Sequence, residues 1–243
     1  VYVARLDHAS LVRQVEEMKP DLVIVDSYRV DLARLRRSLN KAALIAFDDY
    51  VRQPLEADIV INGSPSSKNL AYPDGPLKLL GPAYQILRPD LQPRESRADF
   101  VRRLIVLLGG GDPMRIAPLL VKLLTESFLP GHPDLEAELI IGPFSPAPDC
   151  PPGRLIVTKA PADLPARMRR ADLALSAGGQ TLLELALLGI PAIAVGTSPD
   201  QGPNLEALSQ AGAVRWIGWG NDSDFEGKAV AALNALTLDG RER

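Results

Sequence analysis

The sequence predicts an α/β chain of two domains in tandem, each built on an open, doubly wound parallel sheet, facing each other across a cleft. Size, strand–helix alternation and glycines at strand ends carry this reading. The 243 residues exceed one domain at the usual ~150. A 46% hydrophobic and 23% charged composition is globular, which excludes disorder and repeat solenoids. The longest apolar candidate, Leu182 to Val195, is broken by Glu184, Gly189 and Pro191, so no membrane span is expected. Net charge is −3, and five Phe, five Tyr and two Trp are dispersed, so no nucleic-acid groove is expected. One cysteine, Cys150, excludes an internal disulfide and points to a reducing, cytoplasmic compartment. The composition leaves a chain that works on a small molecule, with its oligomeric state open.

The chain opens at Val1 without an initiator Met or a cleavable apolar core, and so reads as a fragment or a processed form. Asp7 can cap a helix over about 9–19. The β-branched run from Asp21 to Asp26 reads as a buried parallel strand with function at its C-terminal end, where Ser27 and Tyr28 follow. Val30, Leu32, Leu35 and Leu39 have helical spacing over 29–40, with Arg34, Arg36 and Arg37 outside. Strands follow over 43–47, 57–61 and 77–80, the second ending in Asn62-Gly63. Between the last two, 64–76 is turn-rich. Over 88–103 charge density rises and apolar content falls, as in a linker, which sets the domains at 1–95 and 96–243.

The second half repeats this grammar. Strands are expected over 104–108, 138–141, 155–157, 173–176, 191–195 and 214–216. Helices are expected over 114–127, 163–170, 182–188, 204–211 and 225–236. Two strand ends are glycine-rich. Gly109-Gly110-Gly111-Asp112-Pro113 brings bare backbone and a helix N-terminus to a possible ligand, but reads equally as a tight turn with Pro113 at the first helical position. It matches neither the dinucleotide fingerprint nor a P-loop. Ser176-Ala177-Gly178-Gly179-Gln180-Thr181 leads into a helix carrying Glu184. Thr181 and Glu184 fit a capping box. The functional alternative has the loop amides holding a diphosphate while the Glu184 carboxylate, at the cleft mouth, accepts from ribose hydroxyls.

A third loop, Pro199 to Asn204, offers Asp200, Gln201 and Asn204 to sugar hydroxyls, or a turn with Asn204 as N-cap. Tyr28 is either a cleft residue or half-buried packing. Neither histidine sits at a strand end. His8 belongs to a helix start, and His132, in a Pro-Gly-His-Pro turn, reads as solvated. No His or Cys pair has ligand spacing, so no metal and no Ser-His-Asp arrangement is expected.

Together these segments resemble one family. The residues are Val25-Asp26-Ser27-Tyr28, Phe47-Asp48-Asp49, Ile61-Asn62, the run Gly81-Pro82-Ala83-Tyr84-Gln85-Ile86-Leu87-Arg88, Gly109 to Pro113, the run Ala177 to Glu184, Gly189-Ile190-Pro191 and Asp200-Gln201. The chain is similar over nearly its whole length to the UDP-sugar hydrolases of the pseudaminic acid pathway and their spore-coat-polysaccharide relatives. These are similar in turn to MurG-type glycosyltransferases of the GT-B fold. The runs 81–88 and 177–184 are the specific parts.

The resemblance implies a GT-B-like pair of Rossmann-like domains, the first N-terminally truncated. The first would be the acceptor and catalytic side, the second the UDP-sugar side. It implies a substrate of the UDP-2,4-diacetamido-2,4,6-trideoxyhexose type, cleaved by water to UDP and free sugar without cofactor or metal. Gly109, Gly110, Gly111, Ala177, Gly178, Gly179, Gln180 and Thr181 would line the diphosphate, Glu184 the ribose and Gln201 the sugar. Tyr28 and Asp200 would stand on the catalytic side. Two departures accompany it. The family's Gly-x-Gly-His-x-x-Arg loop is not in this sequence, which implies roughly 50 residues missing at the N-terminus. Asp200 also replaces the family's Asn, and a carboxylate there repels a diphosphate by a few kcal/mol. The alternatives are a glycosyltransferase using a UDP-sugar donor and a non-catalytic nucleotide-sugar-binding protein.

Overall fold

The computed structural model describes residues 8–39, 41–51, 54–94 and 100–238. Asp7 and the expected boundary at 95/96 lie outside them. The chain divides into two compact units, Val1–Ile86 and Leu87–Arg243. The division precedes the linker-like stretch because Leu91 is buried among Leu185 and Leu188 of the second unit.

The first unit carries helix α1 (His8–Met18), strand β1 (Leu22–Asp26), helix α2 (Leu32–Ser38), and strands β2 (Ala43–Phe47), β3 (Ile59–Asn62) and β4 (Leu77–Leu80). The strands pair in parallel in chain order. Asp31 starts α2 by accepting the Arg34 N–H at 2.9 Å, in agreement with a helix beginning after a polar cap. Alternation along β1 sends Val23 and Val25 into a core with Val15, Leu32, Leu35, Leu44, Ala46 and Val60. Leu22, Ile24 and Leu77 are exposed on the other side, at 47%, 59% and 58%.

The second unit contains β5 (Arg103–Leu107), α3 (Ala117–Lys122), β6 (Glu136–Ile141), β7 (Leu155–Lys159), α4 (Leu164–Arg170), β8 (Leu173–Ala177), α5 (Thr181–Leu188), β9 (Ala192–Gly196), α6 (Gly202–Gln210), β10 (Arg215–Trp219) and α7 (Phe225–Leu238). α3 continues into wider π-type turns over Leu123–Phe128. All six strands are parallel, in the order β10-β9-β8-β5-β6-β7. Alternation along β5 feeds two cores. Leu104 and Val106 pack toward Leu120, Phe128, Phe225 and Leu233. Ile105 and Leu107 pack toward Met168, Leu182, Leu185 and Leu205. β8 and β9 are buried at every residue, which explains their unbroken apolar runs.

This order defines the unit. From β5 the chain winds outward through β6 and β7, then returns to β8, beside β5, and winds the other way. The point where winding reverses lies between the C-terminal ends of β5 and β8, where open α/β sheets leave a crevice for ligands.

Candidate functional site

The two glycine loops leave that point together. β5 and β8 are hydrogen-bonded neighbours with Leu107 level with Ser176, so 109–111 and 178–179 emerge from the same sheet edge. β9 pairs on the far side of β8 with Val195 level with Ala177, which brings 197–201 to the same edge.

The loop after β8 is shaped by contact. The Gly178 N–H donates to the Val195 carbonyl at 3.0 Å. A Cβ on Gly178 would lie 2.8 Å from Leu205 Cδ1 and 2.9 Å from Gln201 Oε1, so α6 fits here only against glycine. Gly179 and Gln180 are exposed, and nothing stands within 4 Å of where a Gly179 Cβ would be. α5 begins at Thr181 with no side chain capping it. The capping box is therefore not formed. The Leu182 and Leu183 N–H groups donate to the Gly179 and Gln180 carbonyls at 3.1 and 3.0 Å, so the partial positive end of the helix stands at Gly179 to Thr181.

The loop after β5 is different. Gly109 takes φ +72°, and the Asp112 N–H donates to Ser145 Oγ at 2.7 Å. The Asp112 carboxylate then turns back on α3, accepting from the Ile116 N–H at 3.0 Å and the Ala117 N–H at 2.8 Å. The expectation of an open helix N-terminus here is corrected: the chain's own carboxylate occupies it. Pro113 is not the first helical position either, since α3 starts at Ala117 with Pro118 behind it. Gly109 and Gly110 are exposed and Gly111 half-buried.

Glu184 also departs from expectation. Instead of standing open at a cleft mouth, it is 3% exposed, with Oε1 3.2 Å from Arg88 Nε. It faces inward because α5 turns Leu182, Glu184, Leu185 and Leu188 toward the sheet. Burial pushes its carboxyl above the usual carboxylate range; the Arg88 charge opposes the rise and Asp90 adds to it. Gln201 is held at the same edge, its Oε1 accepting from the Thr197 N–H at 2.9 Å. Asp200 is exposed and accepts from the Ser198 hydroxyl. Asn204 lies inside α6, which starts at Gly202, so it is not the N-cap.

Tyr28 lies in the first unit, half exposed just past β1, with its hydroxyl donating to the Asp49 carboxylate. The ends of β2 and β3 carry a buried cluster that local sequence reading does not single out. The Tyr72 hydroxyl donates to Asp48 Oδ2 at 2.8 Å and accepts from Asn62 Nδ2 at 2.8 Å. Burial pushes the Tyr72 phenol well up; the Asn62 bond works against this, and the Asp48 bond and the charges of Asp48 and Asp49 add to it. The polar residues ending two apolar strands are its only sequence signal. His132 corrects a further expectation: it is half-buried, bonds through Nε2 to Asn234 Oδ1 at 2.8 Å and packs on Phe128. Among the described residues no His, Cys, Asp and Glu cluster could hold a metal ion, and no helix is long and apolar enough to cross a membrane.

A groove of about 420 Å³ lies elsewhere, against the first residues of β5 and β6. Among its lining residues Arg167 pairs with both Glu138 and Asp163, and none of the glycine loops lines it.

The two parallel-sheet, Rossmann-like units define the class: this is the fold of the GT-B glycosyltransferases. MurG of Acinetobacter baumannii superposes with a TM-score of 0.62 at 16% identity, covering 97% of this chain and 70% of that one. The spinosyn rhamnosyltransferase SpnG, solved with thymidine diphosphate, gives 0.60 at 16% identity, over 96% of this chain and 70% of that one. In sequence, the chain is 26% identical over 232 residues to the spore coat polysaccharide biosynthesis protein SpsG of Bacillus subtilis, covering 88% of this chain and 66% of that one. It is also 26% identical over 209 residues to an uncharacterised protein of Methanocaldococcus jannaschii, covering 77% of this chain and 42% of that one. The chain thus spans less than two thirds of the length of these two relatives. No protein-family profile matches it.

Proposed function

We propose that the second unit binds a uridine-diphosphate sugar and that the protein acts by breaking the bond between the sugar and the diphosphate. The observation that carries this is the uncapped start of α5 at the point where the sheet reverses, with Gly179 exposed and no atom over it. Main-chain amides and a helix dipole there suit a diphosphate, and they meet it without side-chain reorganisation. SpsG, named for polysaccharide biosynthesis, and SpnG, crystallised with thymidine diphosphate, support a nucleotide-sugar ligand.

In this reading Gly178, Gly179, Gln180 and Thr181 line the diphosphate, with Ala177 ending the strand beneath them. Gly109, Gly110 and Gly111 form the opposite lip and contribute by close backbone approach, since Asp112 already fills the α3 amides. Glu184 accepts from the ribose, and Gln201 contacts the sugar. The reaction is hydrolysis: a water oxygen bonds to the anomeric carbon as the bond to the β-phosphate oxygen breaks. UDP leaves with the electron pair, and the water's proton passes to solvent or a base. We assign Tyr28 and Asp200 to this step.

Transfer to a sugar or lipid acceptor is the second reading, favoured by the glycosyltransferase neighbours. Incubation with UDP-sugars, following UDP release with and without acceptors, separates the two. Release in water alone supports hydrolysis, release only with an acceptor supports transfer, and no binding of any UDP-sugar contradicts both.

A further inference from the structure

The segment from Arg88 to Arg94 runs against α5 and is pinned along its length. Leu91, 4% exposed, is buried among Leu185 and Leu188. The Asp90 carbonyl accepts from Arg169 Nη2 at 3.1 Å. The Arg94 N–H reaches the Leu188 carbonyl at 3.4 Å, and its Nη1 donates to the Ala171 carbonyl at 2.5 Å. At the other end Arg88 meets Glu184, the one carboxylate on the buried face of α5. We propose that Arg88 is a positioning residue, fixing the Glu184 carboxylate as the acceptor for the ribose hydroxyls of the bound nucleotide. This inference rests on the UDP-sugar reading above.

Glu184 stands on a helix packed against β8 and β9, whose residues, Leu173 to Ala177 and Ala192 to Gly196, are small or apolar. Among the described residues, the charged groups that act on it come from the strap, Arg88 and Asp90. Burial and Asp90 both favour the protonated acid, which loses the negative charge and one of the two acceptor oxygens that a carboxylate offers to ribose hydroxyls. Among the described residues, Arg88 is the opposing charge. Its Nε stands 3.2 Å from Glu184 Oε1, while its own side chain stays 45% exposed. Leu91 and Arg94 hold the strap so that Arg88 meets the carboxylate without being ordered first.

The test compares the whole chain with Arg88→Met and Arg88→Lys. In ligand-free protein, carboxyl NMR follows the Glu184 titration, and Arg88→Met should raise its midpoint by about one pH unit. In calorimetry the unaltered chain should prefer UDP over 2′-deoxyuridine diphosphate by about tenfold. Arg88→Met should lose that preference as pH falls and regain it as pH rises, and Arg88→Lys should restore it throughout. An unmoved Glu184 midpoint, or an undiminished preference in Arg88→Met at every pH, overturns the role of Arg88 while leaving UDP binding intact. A shifted midpoint in a chain that binds no UDP overturns the nucleotide reading, and the acceptor role with it.

Discussion

Gly178 and Gly179 are neighbours in sequence with opposite surroundings, and they separate folding from binding. Gly178→Ala presses a methyl onto Leu205 and the Gln201 amide and should cost about 1–3 kcal/mol in urea unfolding. Gly179→Ala meets nothing and should leave stability within about 0.5 kcal/mol, yet weaken UDP by occupying the space a diphosphate needs. Glu184→Ala should lower UDP affinity by about 1–3 kcal/mol in calorimetry, the worth of charge-assisted bonds to the ribose. Glu184 also sets a pH dependence. Its folded carboxyl titrates above the unfolded one, so the folded chain retains a proton that the unfolded chain has released. Stability from this group therefore falls as pH rises from the ordinary glutamate value through the folded value. Glu184→Gln should remove that slope in unfolding curves taken at stepped pH.

At the scale of elements, the strands were legible because five-residue β-branched runs between polar residues have few other uses. The expected strand over 43–47 is β2 without adjustment, and β8 and β9 differ from expectation by a residue at their ends. Helix ends were less legible. Pro113 after Asp112 resembles a helix start, but Asp112 reaches forward four and five residues, and the helix begins past it. Asp112→Ala should cost about 0.5–2 kcal/mol of stability in denaturant titrations through the lost cap, without affecting Thr181 and its neighbours. The strap was not legible. A stretch dense in charge reads as linker, yet Arg88, Asp90 and Arg94 are spent on fixed partners of the second unit. Pairing between residues 88 and 184 leaves no mark on local periodicity, and neither does the Asp48–Asn62–Tyr72 cluster.

Across the whole molecule, each unit has its own buried core. Val15 to Val60 serve the first, and two clusters on either face of a six-stranded sheet serve the second. Leu35→Ala, in the first core, should therefore cost about 2–5 kcal/mol in that unit's unfolding transition and leave UDP affinity unchanged. The GT-B resemblance was legible in the loops because their glycines and polar residues fall at strand ends. The winding order that joins two of those loops was not, since strand order is a property of the folded chain. The central claim is that the reversal between β5 and β8 makes the open start of α5 a diphosphate site. Titrating the ¹⁵N-labelled chain with UDP tests it most directly. The account predicts that the amides of Gly179, Gln180 and Thr181 shift most, with a smaller response at Gly109 to Gly111; largest shifts at the opposite sheet edge, around Arg103 and Glu136, would contradict it.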